Sequence, residues 1–98
     1  MQRDLHPTDG ARYLLERDDD GGEPGRARYR VAIYTPDAVY AASASLGDDG
    51  SVELGPTGAP DDLHARLTTI AKLVARDAAR LRADGMPAWP NRILRWRR

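Results

Sequence analysis

Two histidines are the side chains of this sequence best suited to moving protons: His6 near the N-terminus and His64 in the second half of the chain. A histidine activates a serine, threonine or cysteine nucleophile only when it lies beside that group. Thr68 lies one helical turn after His64, but no residue that would orient the imidazole is evident, and this pattern favours an exposed polar histidine. Ser43 and Ser45 fall within an expected strand, whereas a nucleophilic serine elbow needs a strand-to-helix turn. We therefore expect a protein that is not an enzyme and has no catalytic residue.

A glycine-rich segment, residues 55–60, precedes the expected helix, which is where phosphate-binding loops occur. Its two prolines lack the backbone N–H groups that would bind a phosphate, and Asp61 and Asp62 would repel one. No lysine follows in the pattern of a nucleotide-binding loop. The segment is therefore interpreted as a linker, and no cofactor is expected.

Aspartates cluster at two turns, residues 18–20 and residues 48–49, and oxygen ligands of this kind suit Ca²⁺ or Mg²⁺. The expected topology brings both turns to one end of a sheet. Their spacing does not match the twelve-residue calcium loop, and charged turns ordinarily serve solubility. The absence of cysteine excludes thiolate metal sites and disulfides. No metal site is expected.

The formal net charge of zero conceals a strong asymmetry along the chain. Residues 1–64 carry six arginines against thirteen Asp and Glu, a net charge of −7, whereas residues 65–98 carry nine Lys and Arg against two Asp, a net charge of +7. Such a division indicates an interaction surface, unless the two halves neutralise each other inside the fold.

Nine residues of the basic half are candidate binding residues. Lys72, Arg76 and Arg80 recur at every fourth position and would form one row on the exposed side of a helix, called the helix ridge below. Asp77 and Asp84 each lie within reach of Arg80. The other candidates lie in the C-terminal segment: Trp89, Arg92, Arg95, Trp96, Arg97 and Arg98.

The chemistry of these residues leaves three interpretations open. The first is a small non-catalytic protein-interaction module or subunit that binds an acidic partner, or a second copy of itself, through the helix ridge and the C-terminal segment. The second is a nucleic-acid-binding protein, because arginines grip phosphates and tryptophan rings stack on unpaired bases. The third is a small enzyme or ligand carrier with a site on the sheet, which the lack of His, Cys and any polar cluster on the predicted inner face disfavours. A structural interpretation of the tail stands beside these: Trp89 and Trp96 pack the C-terminal segment onto the fold, which is the commoner use of tryptophan.

Alternation of apolar and polar residues predicts several strands, most clearly at Tyr29, Val31 and Ile33. Strands are expected near residues 11–17, 27–34, 38–46 and 51–54. Apolar residues that recur at spacings of three and four predict a helix near residues 60–84, which Gly85 would end. These residues are Leu63, Leu67, Ile70, Val74, Ala78 and Leu81.

These elements predict an α+β fold in which an antiparallel β-meander of three to four strands packs on one long C-terminal helix. The length suits one domain over residues 11–84, with a flexible N-terminus over residues 1–10 and a basic Trp/Arg tail over residues 85–98. The tail is either an extended arm or a helical turn. With no apolar stretch long enough for a membrane span or an export signal, we expect a cytoplasmic protein and no membrane partner.

Overall fold

Five antiparallel strands and one helix form the described part of the computed structural model, residues 5–18 and 25–97. The elements are β1 (Ala11–Arg17), β2 (Arg26–Tyr34), β3 (Val39–Gly47), β4 (Val52–Leu54), α1 (Asp61–Ala83) and β5 (Arg92–Arg97). The boundaries of β1 to β4 and of α1 lie within one residue of those expected from the sequence. The α+β class, the meander and the long helix after it are confirmed.

The C-terminal tail contributes a strand to the sheet, whose order is β4-β3-β2-β1-β5. β5 pairs with β1 in an antiparallel register that places Ile93 opposite Leu15 and Trp96 opposite Arg12. Of the two forms that the sequence leaves open for the tail, the extended one is therefore found. β5 gives a pairing partner to a β1 edge that would otherwise expose its backbone groups.

The hydrophobic core lies between α1 and one face of the sheet. Two tyrosines, Tyr13 and Tyr29, are fully buried there, beside the aliphatic side chains Leu15, Ile33 and Leu46. The helix contributes Leu67, Ile70, Ala71, Ala75 and Ala78. Because three of these are alanines, the helix backbone can lie close to the sheet, as two-layer packing requires.

The ends of α1 fix how the chain returns to β5. Asp61 and Asp62 occupy the first turn, where the helix N-terminus favours negative charge. At the other end Gly85 has φ +74°, a left-handed conformation that glycine adopts without strain, and its N–H donates to the Arg82 carbonyl oxygen. Arg82 also pairs with Asp48 in the β3–β4 turn. The helix C-terminus is thereby tied to the turn between β3 and β4, and residues 84–91 lead back to the opposite edge of the sheet.

The N-terminal segment from residue 5 onwards lies against the sheet. The His6 ring meets the Tyr34 ring edge-on, with 5.3 Å between ring centroids, and its Nδ1 lies 2.6 Å from the Thr35 carbonyl oxygen. The Asp9 carbonyl oxygen accepts a hydrogen bond of 2.9 Å from the Trp96 indole N–H. These contacts hold residues 6–9 over one end of the sheet, where the sequence indicates a flexible lead-in; residues 1–4 lie outside the described range.

Candidate functional site

The C-terminal tail begins with a buried tryptophan. Trp89 is 7% exposed, and its ring lies edge-on to that of Tyr29, with the centroids 6.5 Å apart. The Tyr29 hydroxyl donates to the Pro90 carbonyl oxygen at 2.7 Å, and the Arg17 N–H donates to the Asn91 carbonyl oxygen at 2.8 Å. Trp89 therefore belongs to the core, and it fixes the point at which β5 begins.

β5 presents alternate side chains to the two faces of the sheet. Residues 93, 95 and 97 face the side of α1, as the buried Ile93 indicates. Arg92, Leu94 and Trp96 lie on the side that α1 does not cover, called the open face below. Leu94 is 38% and Trp96 44% exposed, so this half of the strand carries two large apolar surfaces in contact with solvent.

No strand of the described residues pairs with the outer edge of β5. In an antiparallel strand, the backbone N–H and C=O groups of successive residues point alternately to the two neighbouring sides. The hydrogen bond from the Arg17 N–H to the Asn91 carbonyl oxygen shows that the backbone groups of residue 91 point to β1. Odd-numbered residues of β5 direct their backbone groups to β1. The N–H and C=O groups of Arg92 and Leu94 point away from the sheet, as does the carbonyl of Trp96.

Two guanidinium groups cap outward carbonyl oxygens of this edge. Arg95 donates to the Leu94 carbonyl oxygen at 3.1 Å, and Arg97 donates to the Trp96 carbonyl oxygen at 2.9 Å. Each arginine bonds to the residue that precedes it, so both side chains bend around the edge of the strand. Charged side chains placed in this way protect an edge strand from indiscriminate pairing.

The open face carries further cations that the sequence analysis did not single out. Arg12 of β1 lies between Trp96 and Tyr34 in the strand registers, and Arg28 and Arg30 of β2 share that face. The signal was present in the alternation, because arginines between buried residues of a strand must point to the opposite face. Which side α1 would cover could not be read from that pattern.

The helix ridge lies on the outer surface of α1. Lys72 and Arg76 are exposed and form no ion pair with any residue in the described ranges. Arg80 pairs with Asp77 at 3.5 Å, a pairing that the sequence predicts. The sheet layer that contains β5 is on the other side of a helix about 10 Å across. The structure therefore does not bring the ridge and the tail together into one patch.

Within the described ranges, two ion pairs join the acidic front half of the chain to its basic back half. Arg82 pairs with Asp48, and the Arg92 Nε lies 3.9 Å from a Glu16 carboxylate oxygen. These contacts are partly exposed, and pairs of this kind contribute about 0–1 kcal/mol each. Neutralisation inside the fold is therefore real but partial.

Arg95 and Arg97 form no ion pair within the part of the chain that the structure describes. Among residues 5–18 and 25–97, the hydrogen bonds of their guanidinium groups go to backbone carbonyl oxygens, which carry no formal charge. No carboxylate of the described residues therefore pairs directly with these two cations, although Asp62 lines a hollow together with Arg97. The remaining candidate, Arg98, lies outside those residues.

A threonine–histidine contact in the linker combines a possible nucleophile with a possible base. The Thr57 hydroxyl lies 3.1 Å from His64 Nδ1 and also accepts a hydrogen bond of 3.1 Å from the Ala59 N–H. Thr57 is buried, and among the described residues no carboxylate bonds to the imidazole of His64. The contact closes the linker turn onto the first turn of α1, which is a structural use of both side chains.

Two aspartates of the β3–β4 turn, Asp48 and Asp49, bond to neighbouring protein groups through their carboxylates. Asp49 accepts hydrogen bonds from the hydroxyl and the N–H of Ser51, at 2.6 and 3.0 Å, and these bonds lower the pKa of the Asp49 carboxyl. Within residues 5–18 and 25–97 no three His, Asp or Glu side chains converge as metal ligands. Two aspartates of the first cluster, Asp19 and Asp20, lie outside the described residues.

A hollow of about 350 Å³ lies between the start of α1 and the ends of β1 and β5, and Asp62, Arg66 and Arg97 are among its lining residues. The Tyr13 hydroxyl is buried and makes no hydrogen bond of normal geometry with the described residues, but it interacts with Arg66, one of the residues that line the hollow. Burial raises the pKa of Tyr13, and the positive charge of Arg66 partly opposes that rise. Because the Tyr13 hydroxyl is buried, a ligand in the hollow would not contact it.

Comparison of the chain with protein-family models, with curated proteins and with solved structures gives no match in any of the three. Among the described residues, no helix combines the length and the apolar character needed to cross a membrane.

Proposed function

We propose that this chain is a small non-catalytic protein-interaction module that binds an acidic partner protein through β5. The observation that supports this proposal is the pair of cations at the sheet edge, Arg95 and Arg97, which have no carboxylate partner among the described residues. Arginine forms its strongest side-chain hydrogen bonds with carboxylates, often through two parallel N–H groups.

The surroundings of these arginines favour β5 over the helix ridge as the binding surface. Trp96 and Leu94 place exposed apolar area next to the cations, and tryptophan and arginine are the residues most often responsible for binding energy at interfaces. The ridge offers Lys72 and Arg76 with one exposed leucine, Leu73, and no unpaired strand.

A second copy of the chain is a poorer partner for this strand than an acidic protein. Pairing β5 with β5 in a register that sets Arg95 opposite Arg95 or Arg97 of the second copy would oppose like charges. Like charges on directly opposed strand residues are destabilising. An acidic partner removes this repulsion and brings opposite charges together, which also accelerates association. We further propose a cytoplasmic setting, as the sequence analysis expects.

A second candidate function, nucleic-acid binding, is favoured by a separate observation on the open face. The exposed Trp96 ring lies opposite Arg12 in the register, and Arg28 and Arg30 share that face. Rings that stack on bases beside cations that contact phosphates are typical of proteins that bind single strands.

Two double charge reversals that change the net charge equally test the proposal. Arg95→Glu with Arg97→Glu alters β5, and Lys72→Glu with Arg76→Glu alters the helix ridge. Each variant and the parent chain would be passed over immobilised poly-glutamate and over an immobilised single-stranded oligonucleotide at increasing salt. We expect the parent and the ridge variant to bind poly-glutamate and the β5 variant to lose at least tenfold in affinity.

The two surfaces and the two functions give different results in this experiment. Equal losses for both variants would mean that only overall charge matters, and the assignment to β5 would be wrong. Binding to the oligonucleotide alone, with affinity that falls steeply as salt rises, would establish the second candidate instead. No binding to either matrix at low salt would overturn both.

A further inference from the structure

The backbone groups of β5 point to a specific way of holding the acidic partner. The Leu94 N–H and C=O groups face outwards, and so does the Arg92 N–H, with no strand of the described residues beside them. We infer that an extended acidic segment of the partner protein adds beside β5 as a sixth strand of the sheet. This inference rests on the proposed function and states how that binding is achieved.

Strand geometry determines which residues of the segment meet which residues of β5. In an antiparallel pair, a residue whose backbone groups point to the new strand exchanges both hydrogen bonds with its opposite residue. Leu94 would make such a pair. Arg95 and Arg97 would then lie in the intervening positions, where side chains of the two strands are closest, with about 4.5 Å between Cα atoms.

The guanidinium caps make the edge selective for acidic segments. An N–H group of the added strand must donate a hydrogen bond to the Leu94 carbonyl oxygen, which accepts one from the Arg95 side chain in the free protein. A neutral segment would displace this cap and return the guanidinium to water, with no stronger acceptor in exchange. A segment with carboxylates opposite Arg95 and Arg97 offers each guanidinium a stronger acceptor than the carbonyl it gives up. The caps therefore favour acidic strands over neutral and basic ones.

The two faces of β5 specify the pattern of the incoming segment. Acidic side chains belong on the face of Arg95 and Arg97, and apolar side chains belong on the open face, opposite Leu94 and Trp96. Successive residues of a strand alternate between faces. The partner segment is therefore expected to alternate acidic and apolar residues over about five to seven positions.

An alternating Glu/Val octapeptide with blocked ends is the probe for this arrangement. In the inferred pairing, the valine N–H groups bond to β5 and the glutamate N–H groups point to solvent. Two N-methylated versions serve as a matched pair, one methylated on its valines and the other on its glutamates. Affinities for the full chain would be measured by calorimetry, together with amide hydrogen exchange of Leu94.

We expect the peptide methylated on valine to bind at least tenfold more weakly than the unmodified peptide. The peptide methylated on glutamate should bind within about threefold of it, and exchange of the Leu94 amide should slow at least tenfold on saturation. The variant Leu94→Pro removes an outward N–H, at an edge position where proline is tolerated, and should weaken binding at least tenfold. Leu94→Ala keeps the N–H and is its control.

Failure of this inference is distinguishable from failure of the proposed function. If both methylated peptides and both Leu94 variants bind like their parents, the acidic partner is bound by side chains alone and strand addition is refuted. The same conclusion follows if poly-glutamate binds and the octapeptide does not. If neither binds, the proposed function is refuted as well. If Leu94→Pro does not fold, the methylated peptides with the unaltered chain decide the question.

Discussion

Two buried tyrosines on neighbouring strands permit a matched test of the structure. Tyr13 of β1 and Tyr29 of β2 are each 0% exposed, and both face α1. The Tyr29 hydroxyl donates to the Pro90 carbonyl oxygen at 2.7 Å, whereas the Tyr13 hydroxyl makes no hydrogen bond of normal geometry with the described residues. Substitution by phenylalanine removes the same atom at both positions, and we expect effects of opposite sign on the free energy of unfolding.

The magnitudes follow from what each hydroxyl does. A buried polar atom without a hydrogen-bond partner destabilises the folded state by about 1–3 kcal/mol. Tyr13→Phe removes this penalty together with the van der Waals contacts of the hydroxyl, so the free energy of unfolding should rise by about 1 kcal/mol. A typical buried hydrogen bond contributes about 0.5–1.5 kcal/mol, so Tyr29→Phe should lower it by about 1 kcal/mol. In a domain of this size 1 kcal/mol corresponds to about 4–8 °C, which separates the two variants by about 8–16 °C in Tm.

Urea unfolding of the parent and the two variants, followed by circular dichroism, measures the difference. The slopes of the three unfolding curves should agree, because each variant buries nearly the same surface. Thermal unfolding of the same three proteins gives the order of their Tm values. If Tyr13→Phe destabilises the chain as much as Tyr29→Phe, Arg66 satisfies the Tyr13 hydroxyl as fully as Pro90 satisfies that of Tyr29, and the expected difference in sign is refuted.

Three further predictions follow from particular contacts. Trp89→Ala should lower the free energy of unfolding by about 3–5 kcal/mol and Trp96→Ala by less than about 1 kcal/mol, since only the first ring is in the core; urea midpoints that coincide would contradict this. Burial raises the pKa of Tyr13, so the folded chain holds that proton more tightly than the unfolded chain. This contribution to the free energy of unfolding is fully present below about pH 10 and is lost as the pH rises through the raised pKa. A plot of Tm against pH should show this loss in the parent chain and not in Tyr13→Phe. Hydrogen bonds from Ser51 lower the pKa of Asp49, so Ser51→Ala should raise it towards its ordinary value in a carboxyl NMR titration, and an unchanged pKa would refute the assignment.

The meander and the helix could be predicted because each is encoded by neighbours in sequence. Tyr29, Val31 and Ile33 alternate with polar residues, and this pattern gives a strand whatever lies beyond it. Gly85 ends the helix because its own backbone adopts a positive φ. The Arg80–Asp77 pair is also local, since residues three positions apart lie side by side on a helix.

The residues of the candidate site could be identified from the sequence, but their arrangement in space could not. Both tryptophans lie in the same basic segment and were candidates on equal terms, yet Trp89 is buried and Trp96 is exposed. That difference depends on Tyr29, which lies far away along the chain and packs against only one of them. Likewise, the alternation of β2 predicts that Arg28 and Arg30 lie on the polar face of that strand. It does not predict that this face is the open face, on which Trp96 of β5 also lies.

The sequence by itself determined the class of fold, the position of every element up to the end of α1, and the concentration of positive charge in the last third of the chain. Those properties depend on periodicity and composition, which act over a few residues. Only the tertiary structure decided that the tail is an edge strand, that the helix ridge and β5 lie on different layers, and that Arg95 and Arg97 cap outward carbonyl oxygens. Each of these depends on contacts between segments that lie far apart in the sequence. The tail is held in place because it pairs with the otherwise exposed edge of β1, and no pattern within the tail indicates that this edge is open.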